Sequence, residues 1–239
     1  MLAILKKELN SFFSTPIGYL VIAVFLLANG LFLWIFNGDF NILNAGFADL
    51  NSFFFLAPWI FIFLIPAITM RTFSDEYYSG TIEILKTKPL GDWQIILGKY
   101  VASLVLIVAA ILPTSIYVYS IGILGNPAFN FDLGSLIGSY LGLLFLASTY
   151  AAIGLFSSIL SSNQIIAFII AVGLSLFLYA GFDAMDTLFG NLEYTIHKIG
   201  MKAHFNSIAR GVIDTRDLVY FLSISFFFLA LTKFKLGSE

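Results

Sequence analysis

The sequence predicts an all-α polytopic membrane protein, on three observations. Apolar residues make up 59% of the 239 and charged residues 11%, against about 45–50% and about 25% in soluble domains. Six apolar runs are long enough as helices to cross a hydrocarbon layer of about 30 Å, which takes about 20 residues. The cores of these runs hold no Asp, Glu, Lys, Arg or His, each of which would cost about 2.5–3.5 kcal/mol at mid-membrane. Helices satisfy this solvent because they pair every backbone polar group within one segment.

Taken in order, residues 1–16 predict an interfacial helix. Leu2, Leu5, Leu9, Phe12 and Phe13 recur at helical spacing, and Lys6, Lys7, Glu8, Asn10 and Ser11 cover the other face, up to Pro16. The segment either lies along the inner leaflet or merely anchors the first span. Lys6 and Lys7 precede a membrane-length run with no small-residue cleavage site near Asn37, so the reading is a retained helix and not a signal peptide.

The predicted spans are residues 17–36, 53–70, 100–124, 136–160, 165–182 and 218–234. Pro58, Pro66 and Pro113 fall in or beside them and are expected to kink them. With the N-terminus cytoplasmic, the inside loops carry Lys6, Lys7, Arg71, Lys86, Lys88, Lys99, Lys233 and Lys235. The outside set is Lys198, Lys202, Arg210 and Arg216. Eight basic residues against four put both termini in the cytoplasm. The short outer loops, Asn37 to Ser52 and Gly125 to Gly134, carry Asp39, Asp49 and Asp132 but no base.

Residues 183–217 are too charged to span. Leu188, Leu192, Ile196 and Ile199, a break at Gly200, then Met201, Phe205, Ile208, Val212 and Ile213 predict two short amphipathic helices re-entering from outside. Gly134, Gly138 and Gly142 recur every four residues at the start of the fourth span. They let another helix approach closely, either within the chain or at a dimer seam.

Composition also excludes function classes. A net charge of −2 leaves no broad basic face for nucleic acid. Zero cysteines exclude disulfides, thiolate metal sites and cysteine nucleophiles. His197 and His204 have no adjacent acidic triad, and no cluster of catalytic side chains converges near a membrane surface, so neither a metal site nor an embedded enzyme is expected. Gly98-Lys99 is followed by Tyr100, and Gly91 is too far upstream for a phosphate loop. The absence of ionisable groups from the spans argues against a proton-coupled carrier. Asn29 and the run Ser161-Ser-Asn-Gln164 read as helix-pairing and turn residues.

The segment between the second and third spans, residues 71–99, carries the functional signal. From Ser74 to Lys88, Tyr77, Tyr78, Thr81, Ile82 and Leu85 fall on one side of a helix, with Glu76 and Glu83 on another, and Pro89 ends it. Such a helix is either a solvated connector or a docking element. Phe73-Ser-Asp-Glu76, Gly80-Thr-Ile-Glu-Ile-Leu85, Lys88-Pro-Leu90 and Ile95-Ile-Leu-Gly-Lys99 resemble the coupling region of ABC-2 type transporter permeases. The whole layout is similar to the permease subunit associated with gliding motility, and short permeases of the nitrous-oxide-reductase maturation type share the coupling pattern.

The resemblance implies a permease of the bacterial inner membrane driven by a cytoplasmic ABC ATPase dimer. ATP and Mg would sit on that partner and no cofactor on this chain. Glu76, Gly80, Thr81, Glu83 and Leu85 would contact it. A second permease half, in the gliding type a different polypeptide with a large extracytoplasmic domain, would complete the unit. The output would be export or a mechanical relay to an envelope machine. No substrate is legible, since the phenylalanine-rich span faces suit lipid as well as an apolar cargo.

Overall fold

The structure is a computed structural model and describes residues 1–186 and 199–238. Its elements run α1 (Leu2–Ser14), α2 (Pro16–Gly30), α3 (Ile42–Ala45), α4 (Asn51–Thr69), α5 (Arg71–Tyr78), α6 (Thr81–Lys86) and α7 (Asp92–Ile111). There follow α8 (Ser115–Leu124), α9 (Leu133–Ile159), α10 (Gln164–Leu176), α11 (Phe182–Asp186), α12 (Met201–Ala209) and α13 (Thr215–Gly237). There is no strand among the described residues, and six helical runs are long and apolar enough to cross a membrane.

Those six runs match the predicted spans in number and place but extend beyond several of them. The second continues from Asn51 to Tyr78 with one turn residue, Met70, between α4 and α5, and the third from Asp92 to Leu124 through a short break between α7 and α8. The sixth spans Thr215–Gly237, longer than the expected 218–234. Charge marks where a chain leaves hydrocarbon; it does not end a hydrogen-bonded helix. Arg71, Asp75, Glu76 and Lys99 therefore lie on helical extensions, and the non-helical part of the 71–99 segment shrinks to its middle. The 28 residues of Asn51–Tyr78 make a rod of about 42 Å at 1.5 Å per residue, longer than the hydrocarbon layer.

Local sequence explains the ends and irregularities. Asp132, Asn163 and Asp214 accept backbone N–H groups at the starts of α9, α10 and α13, satisfying donors that a first turn leaves open. Of the expected proline kinks, only Pro113 coincides with a break, a 3-10 turn at Leu112–Thr114 between α7 and α8. α4 runs on through Pro58 and Pro66. The first span ends in a π turn, Leu31–Ile35, and the fifth in another, Phe177–Gly181.

α9 is the axle of the bundle, with α4, α7, α10, α12 and α13 packed around it. Most of α4 and α9 is enclosed, whereas the first and fifth spans leave most of their surface uncovered. Van der Waals packing and interhelical hydrogen bonds hold such a bundle, because lipid offers no hydrophobic drive. Thr149 and Ser225 join hydroxyls at 3.0 Å between α9 and α13, and the Tyr100 hydroxyl donates to the Ser148 carbonyl at 3.2 Å between α7 and α9.

The glycines of the fourth span sit against the chain's own segment between the fifth and sixth spans. A Cβ at Gly138 would come 2.3 Å from the Ile208 carbonyl oxygen, and one at Gly142 would come 3.1 Å from the Phe205 ring. Gly134 lies beside Gly211, whose φ of +85° turns the chain out of α12. Met201, Phe205 and Ile208 are buried as the periodicity predicts, but Val212 and Ile213 lie beyond the helix and are exposed. The first expected outer helix, with Leu188, Leu192, Ile196 and His197, lies outside the described residues.

α1 also departs from its predicted face. It packs on α7, and its buried stripe is Ile4, Glu8 and Phe12, whereas Leu2 is exposed and Leu5 and Leu9 are half-buried. Glu8 therefore belongs to the protein-facing side, not to the solvated polar face. The reason lies in what it meets there.

Candidate functional site

Four charged side chains from three helices meet at the end of the bundle where α4 passes into α5. Lys99, on the first turns of α7, is 1% exposed. Its ammonium lies 2.9 Å from Glu8 Oε1 and 2.9 Å from Glu76 Oε1, and donates to the Thr72 carbonyl at 2.6 Å. It also stands 4.9 Å from the centre of the Phe73 ring, a cation–π distance. Lys7 reaches Glu76 Oε1 at 2.6 Å and Glu8 Oε1 at 3.5 Å. Two ammonium groups thus face two carboxylates, and the cluster is neutral as a set.

Neutrality is what makes the burial tolerable. A lone buried charge costs several kcal/mol, and removing one member of a buried pair about 3–5 kcal/mol. Burial lowers the Lys7 pKa, but its hydrogen bond and attraction to Glu76, with Glu8 adding to both, together outweigh that and raise it from its ordinary 10.5. A group raised on folding lends stability that is complete below its ordinary pKa and is lost only as pH climbs through the raised value. The Lys7 contacts are therefore at full strength at neutral pH.

α5 is tied to two further elements. The Ser74 hydroxyl donates to the Ser158 carbonyl at 3.0 Å, and the Thr72 and Ser158 hydroxyls pair at 3.0 Å at the end of α9. Gln164, the first residue of α10, donates its amide to Asp75 Oδ1, and Arg71 holds the other Asp75 oxygen at 3.4 Å. Helices α1, α7, α9 and α10 thus all grip the extension of the second span.

Beyond α5 the surface changes character. The predicted single helix from Ser74 to Lys88 is broken at Ser79–Gly80, and Gly80 takes a φ of +68° that only glycine adopts without strain. The expected apolar stripe is split accordingly: Tyr78 is 85% exposed whereas Ile82 is 7% exposed. Glu76 and Glu83 do not share a face, since Glu76 is inside the cluster and Glu83 is exposed. Among the other residues expected at a partner contact, Gly80 and Thr81 are exposed and Leu85 is half-buried. Ile84 adds an apolar side chain to this tip, 61% exposed.

The family model for ABC-2 family transporter proteins matches residues 2–209. The chain belongs to that family. It is a multi-pass ABC-2 permease subunit, and membership implies an ABC ATPase as its working partner. No curated protein matches this permease closely enough to count as a relative.

Sequence reading missed the cluster. Lys99 was legible only as part of a motif, and Glu8 only as one polar residue of a short helix. The available signal was the four-residue spacing of Ile4, Glu8 and Phe12, which sets a carboxylate within an apolar stripe. A second pairing was also missed, at the opposite end of the permease. His204 Nδ1 lies 2.6 Å from Asp217 Oδ1, with its ring stacked 3.8 Å from that of Tyr220, joining α12 to α13.

Proposed function

We propose that the turn and helix from Tyr78 to Leu85 form the surface on which the ABC ATPase docks, and that the charge cluster behind it passes the ATPase's motion into the bundle. One contrast carries this reading. α5 is fixed by Lys7, Lys99, Ser158 and Gln164, while Tyr78, Thr81, Glu83 and Ile84, a few residues on, are exposed. A connector that only links two spans gains nothing from being anchored to four other helices. A lever with a fixed base and a free tip does.

The remaining parts follow from the loop charges and the resemblance. Both termini face the cytoplasm of a bacterial inner membrane, and ATP and Mg bind a separate dimer of nucleotide-binding subunits. Two permease halves complete the unit, the second being a different polypeptide with a large extracytoplasmic domain. The similarity of the whole layout to the gliding-motility permease supports export or envelope work of that kind. A nitrous-oxide-reductase maturation role and a purely mechanical relay are the competing outputs. Substrate-stimulated ATP hydrolysis in a reconstituted complex separates transport from relay.

Glu83→Lys tests the docking surface. The substitution is exposed and should change stability by less than about 0.5 kcal/mol. Lost complementarity at a desolvated contact would weaken ATPase capture by about 30-fold, the equivalent of about 2 kcal/mol at the low end of such effects. Asp39→Lys, exposed in the loop between the first and second spans at the opposite end of the bundle, should leave capture unchanged. Equal capture by both variants would show an ordinary solvated loop.

A further inference from the structure

At the end of the bundle opposite the charge cluster, two cavities open side by side. One of about 260 Å³ is lined by Asp49, Asn51, Phe54, Asp132 and Ser139 among others. The other, about 210 Å³, is bounded by Asn51, Phe54, Ser139, Tyr179, Lys202 and Phe205 among others. Shared walls at Asn51, Phe54 and Ser139 make them two lobes of one cleft between α4, α9, the second π turn and α12.

The lobes differ in charge. The first contains two carboxylates and no base; the second contains Lys202 and no carboxylate. Lys202 contacts Asp183 at 2.6 Å, which occupies one of the three donors an ammonium carries. Asp49 accepts the Asn51 backbone and amide N–H groups, and Asp132 caps α9. A carboxylate has about four acceptor sites, so these caps leave both able to accept more. Beneath the polar groups the floor is apolar: Phe54, Phe205 and Tyr179 are each at least nine-tenths buried. Phe55 lines the second lobe and is 50% exposed, so the cleft opens on the face that hydrocarbon covers.

We propose that this cleft binds a phospholipid of the adjoining leaflet by a zwitterionic ethanolamine headgroup. The phosphate sits at Lys202 with the Asn206 amide beside it, the primary ammonium lies toward Asp49 and Asp132, and the upper acyl chain runs over Phe54 and Phe55. The two carboxylates disfavour a headgroup that carries only negative charge. The aromatic floor disfavours a small soluble anion, which would leave that surface bare. This assignment requires only that the chain spans a membrane and is independent of the ATPase contact.

Trp59 supplies the readout, since its ring lies 5.5 Å from that of Tyr179 at the cleft floor. The full chain with Trp34→Phe and Trp93→Phe keeps Trp59 as its sole tryptophan. It would be reconstituted in phosphatidylcholine bilayers holding a minor fraction of lipid brominated high on the acyl chain. Brominated phosphatidylethanolamine should quench Trp59 as though enriched about fivefold over brominated phosphatidylglycerol, the factor that one favourable charge contact supplies. Lys202→Gln should weaken retention of both lipids, whereas Asp49→Asn with Asp132→Asn, and separately Asn51→Phe, the last filling the shared wall from an exposed position, should remove the difference. Equal quenching by the two lipids, or a preference that survives Asn51→Phe, would show ordinary annular lipid and overturn the assignment.

Discussion

The ammonium of Lys99 lies 2.9 Å from the carboxylate of Glu8 across 91 positions of sequence. That contact joins the N-terminal helix to the third span and, through Glu76, to the extension of the second. It is where the first prediction is aimed. Lys99→Met leaves Glu8 and Glu76 sharing Lys7 alone and should cost about 3–5 kcal/mol. Adding Glu8→Gln restores neutrality, with Lys7 facing Glu76, and should recover much of the loss. Thermal unfolding of the purified permease measures both, and a double-mutant cycle isolates the coupling. Additive losses would mean that the two residues do not act as a pair.

Gly138 yields a packing prediction. An added methyl would lie 2.3 Å from a backbone oxygen of α12, and backbone cannot swing aside as a flexible side chain can. Gly138→Ala should separate α9 from α12 and cost about 1–3 kcal/mol, as overpacking does. Gly173→Ala in α10, with nothing within 4 Å, should be neutral or slightly stabilising. Unfolding midpoints of the two variants should diverge accordingly.

Gly80 sets the direction of the exposed tip. At φ +68° a side chain adds about 1–2 kcal/mol of strain, so Gly80→Ala should re-aim α6. ATPase capture should fall while the six spans still insert. Gly91→Ala, at φ −75° with open space around it, should have no effect. Equal capture by the two variants would remove the Gly80 turn from the docking surface.

Orientation can be read directly because the chain has no cysteine of its own. Asn130 and Ser79 are both exposed at opposite ends of the bundle. A cysteine placed at Asn130 should react with a membrane-impermeant thiol reagent added outside intact cells, and one at Ser79 should react only after lysis. The reverse pattern would invert the topology and put the proposed ATPase surface on the wrong side.

Six spans, their order and the segment between the second and third were legible in the sequence because partition into hydrocarbon depends on local composition. Any window of about 20 residues carries its own transfer energy wherever its neighbours lie. The caps at Asp132, Asn163 and Asp214 are equally local, each reaching a backbone N–H two residues away, but the predicted spans, starting at 136, 165 and 218, do not use them. Tertiary structure alone decided which charges are solvated. Glu76 and Glu83 are seven residues apart on what the sequence presents as one helix, yet the Gly80 turn leaves one exposed while Lys99 and Lys7 enclose the other. Pairing of this kind is set by which helices pack together, α1 on α7 and α5 on α9, and that choice depends on contacts across the whole chain.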